Sequence, residues 1–144
     1  MKIDHQMRLM LAFFMVLFGA QAEAKEELVV HGAWVREAPP NAQTIAGYAI
    51  FKNNGAKSVE LVSLNSPDFE RVEFHVTTLE KGMMRMKHLE SVLLKPGEQM
   101  EFEPGGRHLM LTGPKRRLRV GDIVSIKIGI VDGRVIEIEM PVKK

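Results

Sequence analysis

Cysteine is absent from this 144-residue sequence. Without a thiol the chain has no disulfide, no thiolate nucleophile, no redox thiol pair and no cysteine ligand for a metal. A blue-copper electron-transfer site needs a cysteine ligand and is therefore excluded. The sequence also shows no paired carboxylates, nucleophile motif or phosphate-binding loop, so we do not expect an enzyme.

A strong excess of one charge is lacking as well. The net charge is +2 at pH 7, and this mild balance argues against nucleic acid as the main partner. One basic cluster, Lys115–Arg119, follows Gly113-Pro114. It is typical of a solvated turn, and the alternative is a docking surface for an acidic partner.

No apolar run reaches the roughly 20 residues that a membrane-spanning helix needs. The run Leu9–Ala20 follows the basic residues Lys2 and Arg8, and small residues stand at Ala22 and Ala24. This pattern predicts a secretory signal over residues 1–24, cleaved after Ala24 with Ala22 as the competing site. An uncleaved N-terminal anchor is the alternative. Residues 25–144 are then expected to form one domain with no membrane span.

Sustained helical periodicity is missing from the rest of the chain. Short runs rich in β-branched and aromatic residues alternate with turn signals at roughly 8–12-residue spacing, which predicts an all-β, antiparallel sandwich or barrel. The clearest hairpin joins "DIVSIKIGI" to "RVIEIEM" around Asp132-Gly133, a dipeptide typical of tight turns.

Methionine is abundant, with ten in the chain, and four of those beyond the signal lie on two segments that also carry histidine. These are "HVTTLEKGMMRMKH" (His75–His88) and "HLM" (His108–Met110). Because residues i and i+2 of a strand share a face, His108 and Met110 project side by side, and Leu109 and Leu111 should anchor the strand in the core.

The first segment is predicted to be a hairpin with one of two registers. A four-residue loop sets His75 opposite Met86, whereas a two-residue loop at Lys81-Gly82 sets His75 opposite His88. Either register places a common set on one face: His75, Thr77, Met84, Met86 and His88.

Convergence of His75, Met86, His108 and Met110 would give two imidazoles and two thioethers. Such a soft, neutral donor set favours Cu(I) over Zn(II), Ca(II) or Mg(II). The alternative is packing, because a methionine in a strand often fills a core gap. Packing is the prediction for Met100 and Met140; Met83 should point away from the site, and Met84 has no assigned role. His31 and His88 are assigned to the surface or to the surroundings of the ligands.

The four positions spell H-x10-M-x21-H-x-M, which resembles the signature of the bacterial periplasmic copper chaperone family PCu(A)C. "AWVREAPP", "AGYAIFKNNG", "GMMRM" and "LKPGEQMEFEPGGRHLMLTG" also resemble family segments, in family order. Two departures are Thr77 and Leu79, where family members frequently have methionine.

The resemblance implies a cupredoxin-like, Greek-key β-sandwich that binds Cu(I) through His75, Met86, His108 and Met110. It further implies a periplasmic protein that delivers copper toward the CuA centre of cytochrome c oxidase, to an oxidase subunit or a Sco-type protein. We expect this chain to be a monomer. The alternative function is a non-metal protein-binding β-sandwich module of the periplasm.

Overall fold

The computed structural model describes residues 27–144, so the predicted signal segment 1–24 and its cleavage site lie outside the described residues. Ten strands make up this part of the chain: β1 (Leu28–Arg36), β2 (Thr44–Asn53), β3 (Val59–Asn65), β4 (Phe69–Glu80), β5 (Met83–Leu89), β6 (Val92–Leu94), β7 (Gln99–Phe102), β8 (Arg107–Pro114), β9 (Ile123–Ile130) and β10 (Val135–Lys143). The described residues contain no helix long and apolar enough to cross a membrane.

Alternating burial explains the strands where the sequence pattern is clearest. In β9 every second side chain is buried: Val124, Ile126, Ile128 and Ile130. This strand pairs antiparallel with β10, and Gly133 in the connecting turn has φ +92°, a conformation that favours glycine. The predicted hairpin around Asp132-Gly133 is confirmed.

The sheet runs in the order β5-β4-β8-β2-β1-β10-β9-β3-β6, and β7 adds to β2. A further pairing of Leu64 on β3 with Val72 on β4 joins the two arms of this sheet, so that it curls around one core. Among these ten strands all pairings are antiparallel except β1 with β10, which run parallel. The predicted all-β sandwich or barrel is confirmed.

The core is aliphatic with a small aromatic centre. The ring of Phe102 lies 5.0 Å from that of Phe51 and 6.0 Å from that of Phe74, both in edge-on contact. Met140 is fully buried and Met100 packs partly buried against the core, as predicted for both. These two thioethers therefore fill space inside the protein.

Strand β8 is a central strand that positions the candidate site. It lies between β4 and β2, and Leu109 and Leu111 point inward with no exposed surface. The prediction that these two leucines anchor the strand in the core is confirmed. The residues between and beside them consequently face outward.

Candidate metal centre

The centre of the candidate site is a row of three histidines on adjacent strands. His75 on β4 is directly opposite His88 on β5 and directly opposite His108 on β8. The ring of His75 lies 5.6 Å from that of His88 and 5.8 Å from that of His108, centroid to centroid. Neither the chain spacing nor the parity of one strand predicts this row, because β8 is far from β4 in sequence.

The hairpin register follows from its turn. Strands β4 and β5 are joined by Lys81 and Gly82 alone, with Glu80 paired to Met83. Both turn residues have positive φ, +49° and +78°, the conformation of a type I′ hairpin turn. Of the two predicted registers, the one with His75 opposite His88 is therefore correct, and Met86 is opposite Thr77.

The four predicted ligands share the outer face of β5, β4 and β8. Paired residues of antiparallel strands point to the same side, so the registers place the following residues on this face: Glu73, His75, Thr77, Met84, Met86, His88, His108 and Met110. Met110 is opposite Glu73, on the other side of the histidine row from Met86. The structure thus brings His75 and His108 together and sets one methionine at each of two opposite corners.

His108 is buried, with 5% of its surface exposed. Its Nδ1 lies 3.2 Å from the carbonyl oxygen of Gly106. Because a carbonyl can only accept, Nδ1 carries the proton and donates, which leaves the lone pair on Nε2. That Nε2 is buried and has no hydrogen-bond partner among the described residues. The Gly106 oxygen also accepts a hydrogen bond of 3.0 Å from the backbone N–H of Thr77. This bond joins the turn that precedes β8 to strand β4.

The His75 side chain is 14% exposed, and neither of its ring nitrogens has a hydrogen bond within the described residues. Its Nε2 lies 3.4 Å from Oε2 of Glu73, an ion-pair distance without hydrogen-bond geometry. Burial lowers the pKa of His75 below its ordinary value of 6.5, and His108 and His88 add to this, while Glu73 acts against it. The lowered pKa keeps the imidazole neutral at pH 7, the form that binds metals.

The thioethers on the hairpin are exposed. Met86 and Met84 each expose 63% of their surface and Met83 exposes 55%. Side chains this exposed fill no core gap, so the packing explanation fails for Met86, although it holds for Met140. Met110 is half-buried beside His108. Met83 points away from the histidine face, because it alternates with Met84 along β5.

Imidazoles and carboxylates by themselves do not complete a site. Within residues 27–144, no group of three or more histidine, aspartate or glutamate side chains is placed to hold a metal ion. The methionine sulfurs are the other donors on this face, and mixed thioether and imidazole donors favour Cu(I).

Sequence reasoning did not single out Glu73, and it left open whether His88 lies opposite His75. Glu73 contacts His75 and forms an ion pair of 3.1 Å with Arg71. His88, assigned to the surface or surroundings, is exposed and directly opposite His75. The available signal for Glu73 was its spacing of two residues from His75 on one strand; for His88 it was the two-residue turn.

Comparison with known proteins places the chain in a family. The protein-family model described as "Putative lipoprotein LpqE-like" matches residues 28–142. The chain belongs to this family. Among its relatives, "Putative lipoprotein Lxx21020" of Leifsonia xyli is 29% identical over 126 residues, which cover 87% of this chain and 73% of that protein.

Solved structures agree with this assignment. The solution structure of Cu(I)-DR1885 from Deinococcus radiodurans is 31% identical, covers 87% of this chain and 83% of its own, and has a TM-score of 0.69. The copper-bound PCuAC domain of PmoF2 has the same fold at 19% identity, with a TM-score of 0.69 over 81% of this chain and 92% of that one. The predicted relationship to PCu(A)C proteins and the cupredoxin-like β-sandwich are confirmed.

Proposed function

We propose that this LpqE-like protein is a copper chaperone that holds one Cu(I) ion with His75, Met86, His108 and Met110 and passes it to a partner protein. The observation that carries the proposal is the buried Nε2 of His108, which has no hydrogen-bond partner among residues 27–144, next to His75, whose ring nitrogens also form no hydrogen bond there. Leaving a buried polar atom unpaired costs about 1–3 kcal/mol, and coordination of a metal ion offsets that cost.

The second support is the chemistry of the relatives. The solution structure of DR1885 is that of its Cu(I) form, and the PmoF2 domain is copper-bound. This chain offers two imidazoles and two thioethers on one face, the donor set that suits Cu(I) without any thiolate. Because the methionines flank the histidine row from opposite sides, an ion above His75 would lie between them.

Transfer by ligand exchange follows from the unequal exposure of the ligands. Met86 is 63% exposed whereas His108 is 5% exposed, so a partner's donor reaches the Met86 position first and the His108 position last. With this order of ligand exchange, the copper ion, which is the cargo, stays bound to at least one protein ligand throughout. The recipients we propose are those that the PCu(A)C resemblance implies: a cytochrome c oxidase subunit with its CuA centre, or a Sco-type protein.

Export to the periplasm is part of the proposal. The predicted signal over residues 1–24 supports it, as does the lipoprotein description of the family. Cysteine, the residue that receives the lipid in acylated lipoproteins, does not occur among the 144 residues. We therefore propose release by cleavage of the signal.

The test is a Cu(I) titration against a competing chelator under reducing, oxygen-free conditions. One tight equivalent is expected, and the double variant His108→Ala with Met110→Ala should lose it. The matched control is His31→Ala with Met83→Ala, which removes an exposed imidazole and an exposed thioether away from the proposed site. Unchanged stoichiometry in the first double variant would refute the ligand assignment.

X-ray absorption on the copper-loaded protein tests the ligand types directly. Two sulfur and two nitrogen neighbours are expected. A spectrum without sulfur neighbours would remove Met86 and Met110 from the site even if copper binds.

A second candidate function is docking of a protein partner without metal. It is favoured by the exposed apolar tip of the β4–β5 hairpin, where Leu79 is 69% exposed beside Met84 and Met86. Among the strands that the structure describes, β5 pairs with β4 alone and is an edge strand. Absence of a tight copper equivalent, together with partner binding that Leu79→Ser weakens, would favour this candidate.

A further inference from the structure

A groove of about 400 Å³ lies between two loops, residues 38–43 and residues 114–118. A second cavity of about 380 Å³ shares part of this lining and extends it to Glu37 and Arg119. The apolar lining comes from both loops and includes Pro39, Pro40, Ile45, Pro114 and Leu118. Leu118 is 8% exposed and forms part of the hydrophobic core cluster. The groove therefore has an apolar floor that is continuous with the body of the protein.

The first wall of the groove is rigid for local reasons. Pro39 to Ala42 form a turn, closed by a 3.1 Å hydrogen bond from the Ala42 N–H to the Pro39 carbonyl. Pro40 precedes Asn41, which has φ +68°, the sequence and conformation of a type II turn. A 2.9 Å bond from the Gly113 N–H to the Gln43 carbonyl joins this wall to the second.

The second wall is fixed by Arg116. Its Nε binds Asp68 at 2.6 Å, another guanidinium nitrogen donates to the Ile123 carbonyl at 2.9 Å, and a third lies 3.5 Å from Asp122. The Lys115 N–H also donates to the Asp68 carbonyl at 2.8 Å. The two walls are thus held in place before any ligand arrives, which reduces the entropy lost on binding.

The other cations of the basic cluster Lys115–Arg119 do not hold the wall in place through their side chains. Lys115, Arg117 and Arg119 are exposed, and their side chains form no ion pair within residues 27–144. The one acidic lining residue is Glu37, whose carboxylate accepts a 3.4 Å bond from the Val120 N–H. Three free cations against one acid give the rim of an apolar groove a positive charge.

We propose that this groove binds an extended acidic segment of a partner protein, with carboxylates on Lys115, Arg117 and Arg119 and an apolar side chain against Leu118 and the prolines. Charge complementarity selects the occupant, and the apolar floor distinguishes it from a small anion. The groove adjoins Pro114, six residues along β8 from His108, which is roughly 20 Å in a strand. A partner held here leaves the histidine face open, and its binding does not depend on copper.

The probe for the test is a fluorescein-labelled hexapeptide with four glutamates around a Leu-Pro pair, followed by fluorescence polarisation at low salt. Lys115→Glu with Arg117→Glu should weaken binding at least tenfold. The matched control, Lys57→Glu with Lys95→Glu, makes the same change of net charge at exposed lysines outside the groove and should stay within threefold. Thermal unfolding of both double variants checks that they fold.

Two further arms locate the site and its ligand class. In the ¹⁵N-labelled protein, the peptide should shift amide resonances of residues 38–43 and 114–119, and a peptide with glutamine for glutamate should not. Equal loss in the two double variants, or shifts confined to other residues, would overturn the proposal. Tighter binding to phosphatidylglycerol vesicles than to the peptide would overturn it in favour of a membrane surface.

Discussion

The two faces of strands β4 and β8 carry different chemistry on the same backbone. The inner face is aliphatic and aromatic, with Phe74 at 3% exposure and Leu109 at zero. The outer face presents imidazoles and a thioether at His75, His108 and Met110. Since successive residues point to opposite faces, substitution on one face should leave the other largely intact. Stability and ligand binding are therefore separable in this region, and the following predictions test that separation.

The largest effect is expected on the inner face. Leu109→Ala removes a fully buried side chain from a central strand, and such a change costs about 2–5 kcal/mol in the free energy of unfolding. Urea denaturation measures the loss. The variant that remains folded at low temperature should still bind one Cu(I); loss of copper binding by folded protein would show that the two faces are coupled.

Next come two methionines that differ only in environment. Met86→Leu removes an exposed thioether on the outer face and should weaken Cu(I) binding tenfold or more, about 1.4 kcal/mol, with unfolding changed by less than about 0.5 kcal/mol. Met140→Leu alters a fully buried side chain and should cost up to about 1.5 kcal/mol of stability with copper affinity unchanged. For both variants, chelator competition measures the Cu(I) affinity and urea titration measures the free energy of unfolding.

The opposite result for that pair would be informative. If Met140→Leu weakened copper binding as much as Met86→Leu, exposure would not distinguish ligand from core filler. The assignment of Met86 would then be wrong.

A smaller effect is expected at the turn that sets the outer-face register. Gly82 has φ +78° and a Cβ built there meets no atom within 4 Å, so Gly82→Ala should cost about 1 kcal/mol through the backbone alone. Lys81→Asn should stabilise by about 0.5 kcal/mol, since asparagine tolerates the left-handed conformation better. Thermal melting compares both variants with the parent chain. If the two variants changed the melting temperature in the same direction, the turn would differ from type I′.

The smallest effect concerns the pH dependence of the metal-free protein. Burial lowers the pKa of His75, the charges of His108 and His88 add to it, and Glu73 opposes it. As pH falls below 6.5, the unfolded chain binds the proton first, so this contribution to stability is complete above pH 6.5 and is lost as pH falls through the folded-state pKa. Urea unfolding at pH 7.5 and 5.5 should show a smaller pH difference in His75→Gln. An identical difference would contradict the burial of this ring.

Much of the fold and part of the candidate site are predictable from local pattern. Alternation identifies the strands, places Leu109 and Leu111 in the core, and puts His75 and Met86 on one face, because the period of two is a property of each strand by itself. The absence of cysteine limits the ligands to imidazole, thioether and oxygen donors. For the basic cluster Lys115–Arg119, local pattern left two interpretations open: a solvated turn and a docking surface for an acidic partner.

Other features depend on contacts between distant segments. Sequence alone left two registers for the β4–β5 hairpin, and the backbone of Lys81 and Gly82 together with pairing along the whole strand selects one. The parallel pairing of β1 with β10 and the position of β8 beside β4 come from closing the sheet around a shared core.

The sequence by itself determined which side chains can share a face, since that depends only on strand parity. Only the tertiary structure decided which faces meet and which atoms lose water, since burial is set by neighbours far along the chain. It is burial that leaves Nε2 of His108 without a hydrogen-bond partner in the described part of the chain, and it is the approach of two loops distant in sequence that makes a groove beside Arg117.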